Sequence, residues 1–230
     1  MVAVIEVFEN LENPDPNYAQ MYRRFGYPNK VEPWETLAAK SPQPCRLLDL
    51  GCGTGYISIP LVRLGYKVIG VDADPQMLKI AKEVCPNFET VNCQIKDLDL
   101  KEKFDGVLIS SPILNICSET ERYKILEKAA AHLKTGGWLG IELFNPAWLK
   151  KGESFHSSLQ KISCYLVDTD DLVWYGEIRY CFKDVHYLQR LTIRGFEEEW
   201  LKSYLKQWNL NLSDKFPINQ MQNVYVSILV

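Results

Sequence analysis

A three-layer α/β fold, with a mostly parallel sheet between two layers of helices, is what this chain predicts, and two observations carry the prediction. Strand-like and helix-like segments alternate from Cys45 to Phe144. Strands separated by helices pair in parallel and need helices on both faces. The first of these strands also runs straight into a glycine turn, LLDLGCGTGY from Leu47 to Tyr56. Gly51, Gly53 and Gly55 alternate with other residues there, and residues without a Cβ take such a turn without strain. Strand, glycine turn and helix in that order build a pocket for a nucleotide-like ligand.

The elements follow in order. Residues 1–44 read as an N-terminal helical cap, with one helix over 17–25 (NYAQMYRRF) and a second over 31–39. Pro28 separates them, and Pro33 and Trp34 start the second. Ser41-Pro42-Gln43-Pro44 breaks the chain before the first core strand. The cofactor-binding core, 45–144, reads as strand 46–50, helix 56–64, strand 67–71, helix 75–85, strand 88–93, strand 104–110, helix 119–133 and strand 138–144. Pro60 removes a backbone donor early in the first of these helices, so that helix bends or starts later than Tyr56. Asp74 before Pro75 caps the second. Ser118 with Glu121 makes a capping box for the third, and Gly136-Gly137 is expected to close it after Lys134.

Past Phe144 the period changes. Residues 162–167, 173–182 and 186–193 are β-branched and aromatic with partial alternation, and turns are expected at Asp168-Thr169-Asp170-Asp171 and Lys183-Asp184. They read as an antiparallel β-meander inserted after strand five, inside a loop and lid segment of 145–194. Residues 195–230 return to a helix (196–208) and two strands (210–216 and 224–230) that complete the core of a single domain. The expected sheet is seven-stranded, with an antiparallel C-terminal strand.

Composition bounds the function. The 230 residues are 47% apolar, enough for one sizeable core. A net charge of −3 argues against binding a phosphate backbone, so no DNA partner is expected. No apolar run approaches the roughly 20 residues that cross a bilayer. The start, MVAVIEVFENLENPD, lacks the basic region of a signal peptide, so the expected location is cytoplasmic, as a monomer or homodimer. Seven cysteines form no CxxC pair, so no metal site is expected and the thiols read as small hydrophobes in a reducing compartment.

Two ligands compete for the glycine turn. A dinucleotide fingerprint is G-x-G-x-x-G. Its last glycine would be Tyr56 counted from Gly51, or Ser58 counted from Gly53, so it fails in both registers. Asp49, just before the turn, is poorly placed beside a pyrophosphate and well placed for a cationic group. Asp72 stands 21 residues after Gly51, where a carboxylate can accept from both ribose hydroxyls; otherwise it is a surface or capping aspartate. Asp97 can accept from an adenine amino group while Leu98 covers the ring; otherwise Asp97 is a turn residue. Ser110-Ser111-Pro112-Ile113 ends the fourth strand, where parallel sheets hold their ligands.

Five segments, LLDLGCGTGY, VIGVDADPQML, CQIKDLDL, FDGVLISSP and LKTGGWLGIELF, in this order and spacing, resemble the motifs of class I S-adenosylmethionine-dependent methyltransferases of the small-molecule type. The resemblance is strong over 45–144 and weaker over 196–230. It implies a Rossmann-like α/β/α sandwich, S-adenosyl-L-methionine as cofactor, and in-line methyl transfer to an O, N or C atom of a small-molecule acceptor. It implies that Asp49, Gly51, Cys52 and Gly53 line the methionine moiety, with backbone near Ser110 holding its amino group. Asp72 would bind the ribose with Ala73 and Met77 beside it, and Asp97 and Leu98 would hold the adenine. On the cap helix, Tyr18 and Tyr22 match an aromatic near the sulfonium, and Arg23 or Arg24 an arginine for the cofactor carboxylate. A protein or RNA methyltransferase, or a non-catalytic binder of the cofactor, are the alternatives. Ser-Ser-Pro-Ile replaces the Asn- or Asp-Pro-Pro-aromatic motif of related enzymes that methylate planar amino groups, which weighs against nucleobases and glutamine.

Transfer from a sulfonium needs alignment more than acid–base help, so neither a triad nor a metal is expected. Candidate catalytic groups are His156, in the loop KGESFHSSL, Asn115, and His186 in an aromatic strand. Tyr165, Tyr175, Trp148 and Trp174 are candidate walls of the acceptor site. Each has an alternative as a packing or surface residue.

Overall fold

The computed structural model describes residues 2–8, 15–151, 155–156, 160–168 and 172–230, with side chains described outside 151–171. The chain runs β1 (Ala3–Val7), α1 (Pro16–Arg23), α2 (Trp34–Lys40), β2 (Arg46–Leu50), α3 (Ser58–Arg63), β3 (Lys67–Asp72), α4 (Pro75–Val84), β4 (Glu89–Asn92), β5 (Phe104–Ile109), α5 (Ile113–Ile116), α6 (Glu119–Ala131) and β6 (Leu133–Phe144). It continues through α7 (Pro146–Lys151), β7 (Phe155–His156), β8 (Gln160–Asp168), β9 (Val173–Cys181), β10 (Val185–Arg194), α8 (Glu198–Leu205), β11 (Leu210–Pro217) and β12 (Gln222–Leu229).

Seven strands form the central sheet in the order β11-β12-β6-β5-β2-β3-β4. β2 to β6 are parallel, and β12 runs antiparallel between β6 and β11. The alternation of the sequence demanded this arrangement. A central parallel strand is covered on both faces, and β5 is buried at every position. One face packs Leu48, Leu50, Ile109, Ile141 and Leu143. The other packs Trp34, Leu47, Leu61, Phe88, Leu108 and Trp138. Two glycines let the indoles lie flat on that second face: a Cβ at Gly106 would come within 2.3 Å of Trp138, and one at Gly140 within 2.5 Å of Trp34.

The helix starts follow their caps. Asp15 accepts from Asn17 N–H at 2.9 Å ahead of α1, and Asp74 from Gln76 N–H at 2.8 Å ahead of α4. The Ser118–Glu121 capping box is complete at α6. α3 begins at Ser58 rather than Tyr56, which leaves Pro60 in the first turn, where no N–H is needed. α6 ends sooner than expected, at Ala131. Gly136, at φ +76°, lies within β6 and does not close the helix; the chain is already needed as the strand paired to β5.

The first 44 residues are not all helical. Ala3–Val7 is a strand, paired in parallel with β10 from Ala3↔Val185 to Val7↔Gln189. It joins a second sheet, in the order β1-β10-β9-β8-β7, whose remaining pairs are antiparallel as the meander predicted. β9 alternates strictly between buried and half-buried positions, with Trp174, Ile178 and Tyr180 inward. α1 bridges the two sheets. Ala19 packs on Met77 and Ile80 of α4, while Phe25 meets the rings of Tyr180 and Phe182 at 5.4 and 5.5 Å. Arg24 grips Asp184 of the β9–β10 turn through two bonds of 2.8 and 3.0 Å. Among the described residues no helix is long and apolar enough to cross a membrane.

Candidate functional site

The turn after β2 is left-handed at all three glycines, with φ of +79° at Gly51, +56° at Gly53 and +82° at Gly55. The N–H groups of Gly51 and Cys52 both donate to Val71 O, at 2.8 and 3.0 Å, which pins the turn to the end of β3. A Cβ at Gly53 would meet nothing within 4 Å, whereas one at Gly55 would sit 2.8 Å from Ile59. Gly53 is therefore required for its conformation, and Gly55 for its conformation and its packing.

Asp72, the last residue of β3, completes the turn. Its Oδ2 accepts from Gly53 N–H at 2.7 Å and its Oδ1 from Asp74 N–H at 2.8 Å. Each oxygen takes one backbone bond and retains accepting capacity. Burial outweighs these bonds and raises the Asp72 pKa to about 6. Asp49 is fully buried, and Ser58 Oγ and Ser110 Oγ donate to its two oxygens at 2.6 and 2.7 Å. Its pKa is likewise raised by burial, to about 6. Asp49 thus braces β2, α3 and the end of β5 from behind.

A cavity of about 620 Å³ opens at the carboxyl ends of β2, β3, β5 and β6, beneath α1 and the second sheet. That volume is ample for a nucleoside-sized ligand and a small partner. Tyr18, Tyr22, Gly51, Cys52, Gly53, Asp72, Ala73, Met77 and Ser110 line it. Arg23, Asp49, Asp97 and Leu98 do not. Arg23 pairs with Glu83 of α4 at 3.0 Å. A 3₁₀ turn at Ile95–Asp97 leaves Asp97 exposed and packs Leu98 into the core at 2% exposure. Gln94, Ile95 and Lys96 reach the cavity in their place.

The structure also relocates the catalytic candidates. Asn115 is a buried splice: its Nδ2 donates to Arg194 O at 2.7 Å, and its Oδ1 accepts from Phe144 N–H at 3.0 Å. His186 lies on β10 opposite Val4 of β1, away from the cavity. His156 falls in β7, and its side chain, like that of Tyr165, lies outside the described residues. Trp148 and Trp174 are packing residues of the second sheet's core, and Tyr175 is off the cavity.

Sequence reasoning missed the polar groups of the far wall. Glu142 of β6 lines the cavity and accepts from Gln222 Nε2 at 2.9 Å. Gln222 is oriented in turn by Asn219, whose Nδ2 donates to its Oε1 at 2.9 Å. Burial first, and the nearby charge of Asp49 second, push the Glu142 carboxyl up to about 8. Gln189 of β10 also lines the cavity, with its Oε1 held by Tyr180 Oη–H at 3.0 Å. One signal was available for Glu142: a lone carboxylate within the apolar run GWLGIELF needs a reason to be there.

Residues 47–137 match the family described as methyltransferase domain. Over 107 residues the chain is 34% identical to a ubiquinone biosynthesis O-methyltransferase of Nitrobacter winogradskyi, covering 45% of this chain and 40% of that one. Over 104 residues it is 35% identical to a cypemycin N-terminal methyltransferase of a Streptomyces species, covering 44% and 42%. The chain therefore spans about 40% of the length of these curated relatives. Among solved structures, an S-adenosylmethionine-bound amino pentose methyltransferase from Micromonospora echinaspora superimposes with a TM-score of 0.70 at 20% identity, over 96% of this chain and 99% of that one. Residues 47–137 thus carry a methyltransferase-domain match, and the chain shares the fold of that S-adenosylmethionine-bound enzyme.

Proposed function

We propose that the protein is an S-adenosyl-L-methionine-dependent methyltransferase acting on a small-molecule acceptor at an O, N or C atom. The observation that carries this reading is the pairing of an open, left-handed Gly53 with the Asp72 carboxylate at one end of the cavity. That pair offers backbone approach and a ribose acceptor, and the turn has no glycine at the sixth position of the dinucleotide fingerprint, where Tyr56 stands. The cofactor, when bound, supplies an already activated methyl group. The chain's part is to hold donor and acceptor in line and to keep water out. Tyr18 and Tyr22 of α1 cover the glycine turn, Ala73 and Met77 flank the ribose position, and Gln94 to Lys96 take the adenine edge. The relatives named above are an O-methyltransferase of ubiquinone biosynthesis, a cypemycin N-terminal methyltransferase and an amino pentose methyltransferase, which supports methyl transfer as the reaction.

The same reading treats residues 45–144 and 195–230 as the cofactor core and residues 1–44 and 145–194 as its cover. It also has the protein working in the cytoplasm as a monomer or homodimer, without DNA. Calorimetric titration with S-adenosylhomocysteine tests the proposal. Micromolar binding with NAD inert is the expected result, and absence of binding by well-folded protein would sink it.

A further inference from the structure

Among the described residues, six carboxylates line the cavity (Asp15, Glu32, Asp72, Asp74, Glu121 and Glu142) against one ammonium, Lys96. Four of the six have structural work. Asp15 and Asp74 cap helices, Glu121 closes a capping box, and Glu32 accepts from Thr36 Oγ at 2.6 Å. Asp72 secures Gly53 and faces the ribose position. Glu142 is left over, and burying a carboxylate without a compensating partner is costly.

Its position is informative. Ile141 pairs with Ile109, so Glu142 stands level with Ser110 at the carboxyl edge of the sheet. Gly140, two residues earlier on the same face, packs on Trp34. Gln222 fixes Oε1, and Oε2 accepts no hydrogen bond among the described residues. The same wall carries Phe144, Ile178, Leu191 and Met221 from β6, β9, β10 and the turn before β12, with the neutral amides of Gln189, Asn219 and Gln222 and, among the described residues, no second carboxylate. An otherwise uncharged wall with one oriented, half-engaged carboxylate is a receptor for a cationic N–H donor.

Building on the methyltransferase reading, we infer that the acceptor is an aliphatic amine and that Glu142 is the catalytic residue that binds it as an ammonium and removes one proton. The proton passes from nitrogen to Oε2. The freed lone pair then attacks the donor methyl, forming the C–N bond as the S–C bond breaks, so the sulfonium becomes a neutral thioether and the methylated nitrogen carries the positive charge. A carboxylate held near pH 8 is far closer to an ammonium in proton affinity than an ordinary one at 4.5, which makes the transfer less uphill. Below about pH 8 the unliganded Glu142 is mostly protonated, and a bound ammonium, unlike a hydroxyl, favours its ionised, accepting form.

The test uses the whole protein saturated with S-adenosylhomocysteine, titrated with benzylamine and with benzyl alcohol as a matched pair. At least tenfold tighter binding of the amine is expected. Glu142→Gln should erase that preference while leaving S-adenosylhomocysteine affinity within about twofold. Equal binding of the two probes, or a preference that survives the substitution, overturns the inference. So does a tenfold loss of S-adenosylhomocysteine affinity in Glu142→Gln with 5′-methylthioadenosine unaffected, since that assigns Glu142 to the cofactor's own ammonium. If the wild-type protein does not bind S-adenosylhomocysteine, the methyltransferase reading fails separately. The amine preference is then read on the cofactor-free protein, where the same contrast is expected. Should Glu142→Gln not fold, Glu142→Asp takes its place. It withdraws the carboxylate by one methylene, and the same loss of preference is expected.

Discussion

The two walls of the cavity are made from different materials. The wall at β2 and β3 is mostly backbone: three left-handed glycines, with the N–H groups of Gly51 and Gly53 turned to Val71 and Asp72 and that of Gly55 to Cys52, and an aspartate that secures the turn. The wall at β6, β10 and β12 is mostly side chain, with Glu142 and Gln222 joined across 80 residues and Gln189 held by Tyr180 of the neighbouring strand, all among apolar residues. The first can bind the same ligand through many changes of neighbouring side chains. The second changes its ligand with one substitution. A fold that keeps its donor and varies its acceptor gains from this division.

The comparison is broken most severely at the glycine turn. Gly55→Ala puts a Cβ into Ile59 at an unfavourable φ. It should cost about 2–4 kcal/mol in urea unfolding. Gly53→Ala, with open space for its Cβ, should cost only about 1–2 kcal/mol. Equal losses at the two positions would mean that packing plays no part in the turn.

Asp72→Ala comes next. It removes the proposed ribose acceptor and strands the N–H groups of Gly53 and Asp74, so S-adenosylhomocysteine affinity should fall by about 1–3 kcal/mol in calorimetry. Gln189→Ala on the other wall should leave that affinity within about twofold. If both variants weaken the cofactor product alike, the walls are not divided as described.

Acid–base behaviour sharpens the contrast further. Asp49 and Asp72 titrate near 6 and Glu142 near 8, above their ordinary values of 3.8 and 4.5. The folded cofactor-free chain therefore holds protons that the unfolded chain has released. Its unfolding free energy should fall as pH rises from about 4 to about 8, by up to about 3 kcal/mol for each aspartate and about 5 kcal/mol for Glu142. Glu142→Gln should lower the slope from about pH 4.5 upward and flatten the curve between about pH 6 and 8, where the two aspartates no longer contribute, in urea titrations at each pH. The smallest effect belongs to the surface. Arg23→Ala breaks an exposed pair with Glu83 and should change stability by less than about 0.5 kcal/mol and cofactor-product affinity not at all.

What was legible in the sequence divides along the same line. β2 to β6 and their helices are set by local pattern and caps such as Asp74-Pro75 and Ser118–Glu121, so their order could be read directly. The glycine turn and Asp72 are local too. β1 could not be read that way. Ala3–Val7 is short and mostly exposed on its own account, and becomes a strand because β10 offers it an edge. The orientation of Asp97 and Leu98 could not be read that way either: the 3₁₀ turn at Ile95–Asp97 presents Gln94, Ile95 and Lys96 to the cavity and not these two. Glu142 and Gln222 lie 80 residues apart and are joined only by the antiparallel return of β12.

The parallel strand at the start of the chain has a consequence for how the protein is made. Synthesis delivers Ala3–Val7 well before its partner, Val185–Arg194, roughly 180 residues further along the chain. Contacts of such long sequence separation form late, because a large loop must close first. Residues 46–144, which carry the glycine turn, precede that moment. During translation the chain therefore holds the makings of its donor pocket well before it has a roof under which an acceptor could be held.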